Sequence, residues 1–279
     1  MAGDATTPVL VLDAARSPFG ARGGGLAGVE AAALVEGVVD PLLSRSGVPR
    51  EAVAATFAGG MDAVAAATRA VAAGSSPVAL AVAVARMSGA PVPDRPGDDG
   101  SAQAATALEA TQTRWIAAFH RGAFAREVIA VAGVDHDEHP VAGGFADGAA
   151  AVLLAAPGTV PAAAPLAEVV AVETLREDAL DALVDRLGWG WDGVDLIELH
   201  EPSGTEAARW LTRLGAAAGR VNVDGGSLAI GDPEGVSGAR LVVSLADLLR
   251  RREGARRGLA ILPAPDGVIH VAALAAPPR

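Results

Sequence analysis

The sequence contains no cysteine. It therefore has no disulfide, no thiolate metal ligand and no cysteine nucleophile. Tyrosine is also absent, and aromatic residues make up only 3% of the chain. A core with so few large rings must be built from Ala, Val and Leu, whose small size lets helices and strands approach closely. No apolar run reaches the ~20 residues of a membrane-spanning helix. The densest, Val78 to Ala85, has the length of a strand. The stretch from Met1 to Thr7 lacks the basic start and apolar centre of a secretory signal. Acidic residues outnumber basic ones 33 to 22, for a formal charge of -11. That balance argues against a nucleic-acid partner, whose phosphates call for clustered Lys and Arg. The absences together predict a soluble cytoplasmic protein with no membrane and no nucleic-acid partner. The excess of Ala, Arg and Gly at lysine's expense fits a GC-rich bacterial genome.

What is present is enough for a large core. Half of the 279 residues are hydrophobic (51%), and this length allows about two domains of ~150 residues. Apolar runs at Val9–Asp13, Glu51–Phe57, Val78–Val84 and Val128–Val131 predict strands. Between them, helices are predicted over Val29–Ser44, closed by Gly47, over Ala63–Ala73 and over Ser101–Arg121. The last of these carries Leu108, Thr111, Trp115 and Phe119 at three- and four-residue spacing, a face expected to be core. After a linker from Pro157 to Pro165 the plan repeats, with strands at Leu166–Val172 and Val194–Leu199 and helices at Ala179–Leu187 and Thr205–Leu214. The chain then ends on a helix from Ala239 and a strand at Val268–Ala272. The order of elements predicts an α/β fold of two similar halves, residues 1–157 and 165–279.

The stretch around which the chain is organised runs from Val221 to Arg240, through Gly225, Gly226, Gly231, Gly235 and Gly238. It reads as a short strand, glycine turns and the start of an apolar helix, an order that builds a pocket of exposed N–H groups. These residues resemble the C-terminal signature of thiolases, NVNGGAIALGHPLGASGAR. Other segments resemble the same family: Ala14 to Gly20 its AxRTPFG opening, Arg86 to Pro91 its SMSRAP turn, and Gly143 to Leu154 its NDGAAAVLL strand. Asp135 to Pro140, a cluster of His and carboxylates, resembles a structural turn of the family rather than a metal site, so no metal ligands are assigned.

The resemblance implies a thiolase-like five-layer αβαβα arrangement, and it implies where an active site would be. The catalytic histidine of the family's GHP motif is Asp232 here. Aligned on the family's following helix, the nucleophilic cysteine position falls at Phe57, in a segment from which a helix and a strand are missing; Phe57 can equally be assigned to the preceding strand, and either placement leaves no nucleophile. The second cysteine position reads Pro263. His200 and Glu201 occupy the place of the NEAFA motif, whose first residue in active members, Asn or His, orients a water in the oxyanion hole. The nine residues from Val92 to Gly100 stand where the family inserts the loop domain that cradles coenzyme A. The missing strand is the one that pairs across the family's dimer axis. The resemblance therefore implies a thiolase-like protein with no thiolytic activity and no cofactor of its own, acyl-CoA reaching it only through a partner. The expected role is a non-catalytic accessory subunit in a hetero-oligomer with a complete thiolase or another acyl-CoA enzyme. The alternative is an acyl-CoA enzyme of changed chemistry, a retro-aldol lyase using His200, Glu201 and Asp232.

Overall fold

The computed structural model describes residues 7–91, 100–129, 144–160 and 164–277. The elements in chain order are β1 (Val9–Arg16), β2 (Gly20–Ala21), α1 (Ala31–Ser46), β3 (Ala55–Ala58), α2 (Met61–Ala72), β4 (Val78–Ala85) and α3 (Ala102–His120). They continue with β5 (Ala146–Ala155), β6 (Ala167–Arg176), α4 (Leu180–Arg186), β7 (Leu196–Leu199), α5 (Gly204–Leu214), α6 (Ser227–Ile230), α7 (Ser237–Arg251), β8 (Arg257–Pro263) and β9 (Val268–Ala275).

β5 shows why so alanine-rich a sequence makes this fold. All ten of its residues are buried, so neither face meets water, as in strands covered by helices on both sides. Strands of both halves join in one mixed sheet of order β3-β4-β5-β1-β6-β9-β8-β7, with β2 paired to β5. The join is short: Val9, Leu10 and Val11 of β1 pair antiparallel with Val169, Glu168 and Ala167 of β6. The two predicted halves thus share a sheet rather than holding one each. α1 packs on β1, β4 and β5, and α4 and α5 share a hydrophobic cluster with β7, β8 and β9. Between the two parts of the sheet run α2 and α7, each touching strands of both. From outside to outside the order is helix, strands, helices, strands, helices.

The two central helices are not equally enclosed. Every residue of α7 from Ser237 to Leu249 is buried, its polar Arg240, Ser244 and Asp247 included. α2 buries Met61, Ala63, Val64, Ala67 and Val71, but Asp62 and Arg69 are exposed on its other side. Where α2 and α7 start, their backbones nearly touch, and only glycine fits. A Cβ on Gly238 would lie 2.4 Å from the Met61 nitrogen, and one on Gly60 2.8 Å from the Gly235 carbonyl oxygen.

Some expected elements differ. Val221 makes only a single bridge to Ile197, and the predicted strand gives way to a turn with Asn222 at φ 43° and Gly225 at φ 92°. The Asn222 side chain takes the ladder's place: Oδ1 accepts from the Leu199 N–H (2.8 Å) and Nδ2 donates to the Leu199 carbonyl (2.9 Å). On α3, Trp115 is core, whereas Phe119 at the stripe's margin is 41% exposed and stacks on Trp115 with ring centroids 5.1 Å apart. The strand expected from Glu51 begins at Ala55, because Arg50 to Ala52 form a 3₁₀ turn. The connector at 92–99 and the turn at 135–140 lie outside the described residues. No described helix is long and apolar enough to cross a membrane.

Candidate active site

A pocket of about 850 Å³ opens where α2, α5 and α7 begin. Gly60, Met61 and Asp62 belong to the start of α2, Pro202 and Glu206 to that of α5, and Ser237 and Gly238 to that of α7. The opposite wall is the turn from Leu262 to Val268 between β8 and β9, with His270 beyond it. Helix N-termini carry unsatisfied N–H groups and a partial positive charge, so three of them meeting in one cavity would attract an anion. A carboxylate of the chain lies near each, while the one side-chain cap among them is Ser203, which accepts from the Glu206 N–H at the start of α5. Asp62 and Glu206 lie in the first turns of α2 and α5. Asp232 accepts a hydrogen bond from Ser237 Oγ at the head of α7.

His200 follows the end of β7, and its N–H continues the ladder to the Ile261 carbonyl (2.9 Å). Its ring is nearly buried, with Nε2 3.6 Å from Asp232 Oδ2 and Nδ1 3.3 Å from Ser227 Oγ. Ser227 Oγ accepts from the Glu201 N–H (2.9 Å) and donates to the Glu201 carbonyl (3.2 Å). The two ring nitrogens are thus flanked by a hydroxyl on the Nδ1 side and a carboxylate on the Nε2 side. Asp232 is fixed by its backbone, donating to the Gly144 carbonyl (2.9 Å) and accepting from Ala146 N–H (3.1 Å). The pair is thus an imidazole and a carboxylate in a nearly dry corner, able to take up, hold and return a proton.

The five expected positions part company here. His200, Asp232 and Pro263 all line the pocket. Glu201 does not: its carboxylate turns towards α3, where Oε2 accepts from Thr111 Oγ1 (3.3 Å). Burial pushes its pKa up, against the lowering effect of Asn222, Arg240, the Leu228 backbone and Thr111. Glu201 is a strut between α3 and the glycine loop. Its neighbour Gly226 has no room for a side chain, since a Cβ would meet Glu201 Oε2 at 2.3 Å. Phe57 lies in β3, half-buried against the core and away from the pocket. The backbone that reaches the cavity at the head of α2 is Gly60 and Met61.

Other site groups carried no motif. Across the mouth, Glu177 accepts from Arg209 Nη1 (2.8 Å) and sits 3.4 Å from Arg213, while Arg209 Nε donates to Glu206 (3.0 Å). His270 Nδ1 stands 2.9 Å from Thr174 Oγ1 and 3.7 Å from Asp62. Deeper, Arg240 of α7 pairs with Glu198 of β7 at 3.1 Å, both buried. Burial raises the Glu198 pKa to about 8, with Arg240 pulling it the other way. The period-2 and period-3.6 patterns could mark 198 and 240 as inward-facing. Only their unusual charge at buried positions would have signalled a pair. No group of three or more metal-ligating side chains occurs among the described residues.

Residues 167–274 match the family model described as "Thiolase, C-terminal domain". Among curated proteins, the cytosolic acetyl-CoA acetyltransferase of Rattus norvegicus is 35% identical over 133 residues, 43% of this chain and 33% of that protein. A beta-ketoadipyl-CoA thiolase of Pseudomonas aeruginosa is 32% identical over 188 residues, 50% of this chain and 47% of that protein. The chain spans about a third to a half of the length of these relatives. Human mitochondrial 3-ketoacyl-CoA thiolase, solved in complex with CoA, aligns with a TM-score of 0.84 at 22% identity over 98% of both chains. Acat5 thiolase from Ascaris suum, also with coenzyme A, aligns with a TM-score of 0.85 at 20% identity, over 97% of this chain and all of that one (100%).

Proposed function

Because the chain belongs to the thiolase superfamily, its pocket can be judged against the chemistry of acyl transfer, and we propose that this chain does not perform it. It acts instead as a non-catalytic subunit beside a complete thiolase or another acyl-CoA enzyme. The observation that carries this reading is the head of α2, where Gly60 and Met61 are the groups presented to the cavity. Acyl transfer through a covalent intermediate needs an activated nucleophile there, with a base to activate it. The chain has no cysteine at all, and Asp232 and Pro263 stand at the other two positions of the expected set. Ser237, whose hydroxyl donates to Asp232, stands at the head of α7 and not at the head of α2, where the expected set has its nucleophile.

The subunit role draws support from the sheet's edge. Among the described residues β3 pairs with β4 alone, and its other side is an open edge of the kind proteins cover with a partner strand. The partner is a thiolase-family or other acyl-CoA enzyme, met through the β3 end of the sheet. A second reading is favoured by one observation, the approach of His200 to Asp232 inside the pocket. That dyad could serve a retro-aldol lyase as acid and base. Such a lyase would work without Glu201, which faces away, and without an imine, since the 22 basic residues are all arginine.

The test is co-purification from the native host, followed by light scattering of the protein alone and with the acyl-CoA enzyme so recovered. A defined hetero-oligomer supports the subunit. A stable monomer that ignores every acyl-CoA enzyme of its host removes it and leaves the lyase.

A further inference from the structure

Of the two helices between the sheets, α7 is enclosed on every side, whereas α2 leaves one side open. Asp62, Ala65, Ala66, Arg69 and Ala73 follow one another along that side at three- and four-residue spacing, so they share one face of the helix. Asp62, Arg69 and Ala73 are exposed, and the two alanines between the charges are half-buried. The open side lies between two unpaired sheet edges. On one flank β3 pairs with β4 alone among the described residues. On the other, β6 meets β1 only over 167–169, and from Ala171 to Arg176 it pairs with β9 alone among the described residues. Val170, the extra residue of the bulge between these stretches, is 41% exposed. α2 touches both β3 and β6 and has α7 on its far side, so the helix face and the two edges form one side of the molecule.

The charges on this side specify what can cover it. Asp62 and Arg69 stand at equal distances on either side of the midpoint between Ala65 and Ala66. An antiparallel copy of the same helix, crossing at that midpoint, sets Asp62 of each copy opposite Arg69 of the other, as a self-complementary two-fold contact requires. Alanines at the crossing let the two axes approach to about 8 Å, and antiparallel helices place opposite dipole ends side by side. Neither charge is spent within the chain. Arg69 makes no ion pair among the described residues, and Asp62, 86% exposed in its side chain, has only His270 at 3.7 Å.

We infer that this side binds a second copy of the chain, α2 against α2 about a two-fold axis. Each copy thereby brings its Arg69 to the mouth of the other's pocket, where Asp62 stands. The inference rests on the reading of the β3 side as an interface and names its occupant when the chain is alone; the acyl-CoA enzyme takes the same side and displaces the second copy.

The cysteine-free sequence allows a direct test on the full chain. In this register the two copies of residue 66 differ by only ~1.5 Å of helix rise, whereas those of residue 73 lie about 22 Å apart. A disulfide needs Cα atoms within ~7 Å, so on oxidation Ala66→Cys is expected to give a covalent dimer and Ala73→Cys none. Sedimentation equilibrium is expected to show a dimer for the unaltered protein. Asp62→Arg or Arg69→Asp alone should weaken it by about tenfold or more, because like charges then face each other twice. Asp62→Arg with Arg69→Asp should restore it to within about threefold, since the pair is re-formed with its signs exchanged. Both positions are exposed, and circular dichroism checks that each variant is folded. A monomer at every concentration, a dimer that neither single reversal weakens, or a cross-link as ready at Ala73→Cys as at Ala66→Cys overturns the inference. A monomer that still binds the acyl-CoA enzyme removes the second copy and leaves the subunit reading, whereas the cross-linked dimer that binds no such enzyme supports the second copy and removes the subunit.

Discussion

Replacing Gly238 with alanine tests the contact that shapes the floor of the pocket. The new Cβ would stand 2.4 Å from the Met61 nitrogen, 2.8 Å from its Cβ and 3.0 Å from its Cα. Two of these atoms are backbone, so no side-chain rotation relieves the clash, and the heads of α2 and α7 must separate. Overpacking of this kind costs about 1–3 kcal/mol, and a clash against main chain belongs at the upper end. Alanine's better helix propensity returns up to ~1 kcal/mol. The net expectation is a loss of about 2 kcal/mol. With a urea slope of roughly 2 kcal/mol per molar, the midpoint should fall by about 1 M. Gly219→Ala is the control, because nothing lies within 4 Å of a Cβ there and its φ is not positive; it should stay within ~0.5 kcal/mol of the parent. A Gly238→Ala protein that unfolds at the parent's midpoint would refute the close approach of the two helices, and with it the floor.

Three further outcomes are expected. Glu198, raised to about 8 from 4.5, keeps in the folded state a proton that the unfolded chain releases. Stability should therefore fall as pH rises from about 4.5 towards 8, and Glu198→Gln should flatten that slope in urea titrations across the window. Asn222→Ala strips two hydrogen bonds from the buried Leu199 backbone and should lower stability by about 2–6 kcal/mol, since each orphaned buried group costs about 1–3; a loss under ~1 kcal/mol would contradict the amide's place in the ladder. Lysines at the exposed Thr56 and Ala58 of β3 should abolish association with the partner enzyme while leaving the thermal midpoint almost unchanged, and undiminished association would move the interface elsewhere.

Much of the fold was legible because its signals are local. Val78–Ala85 reads as a buried strand from its unbroken apolar run, and Gly47 marks the end of α1 because it adopts φ 69° as a left-handed cap. What could not be read depends on distant partners. Asn222 looks like the start of a turn or the middle of a strand until its amide is seen against Leu199, 23 residues earlier. The pairing of β1 with β6, which fuses the halves into one sheet, joins segments on either side of the linker and leaves no pattern in either. In the site, His200, Asp232 and Pro263 were placed by the glycine-rich stretch and its flanks. Glu201 was misplaced because adjacent residues leaving a strand face opposite ways: His200 turns to the pocket and Glu201 to Thr111. Phe57 could be assigned to the turn or to the strand, and the hydrogen-bonded register Phe57 to Ala81 puts it in the strand.

The central claim is that this pocket, with no cysteine and only Gly60 and Met61 presented at the head of α2, does not take an acyl chain from acyl-CoA. Intact-mass spectrometry of the protein incubated with acetyl-CoA, with released CoA assayed in the same sample, tests it most directly. The account predicts an unchanged mass and no release of CoA above the buffer blank. A stoichiometric acetyl adduct accompanied by an equivalent of free CoA would contradict it, whichever residue carried the acetyl group.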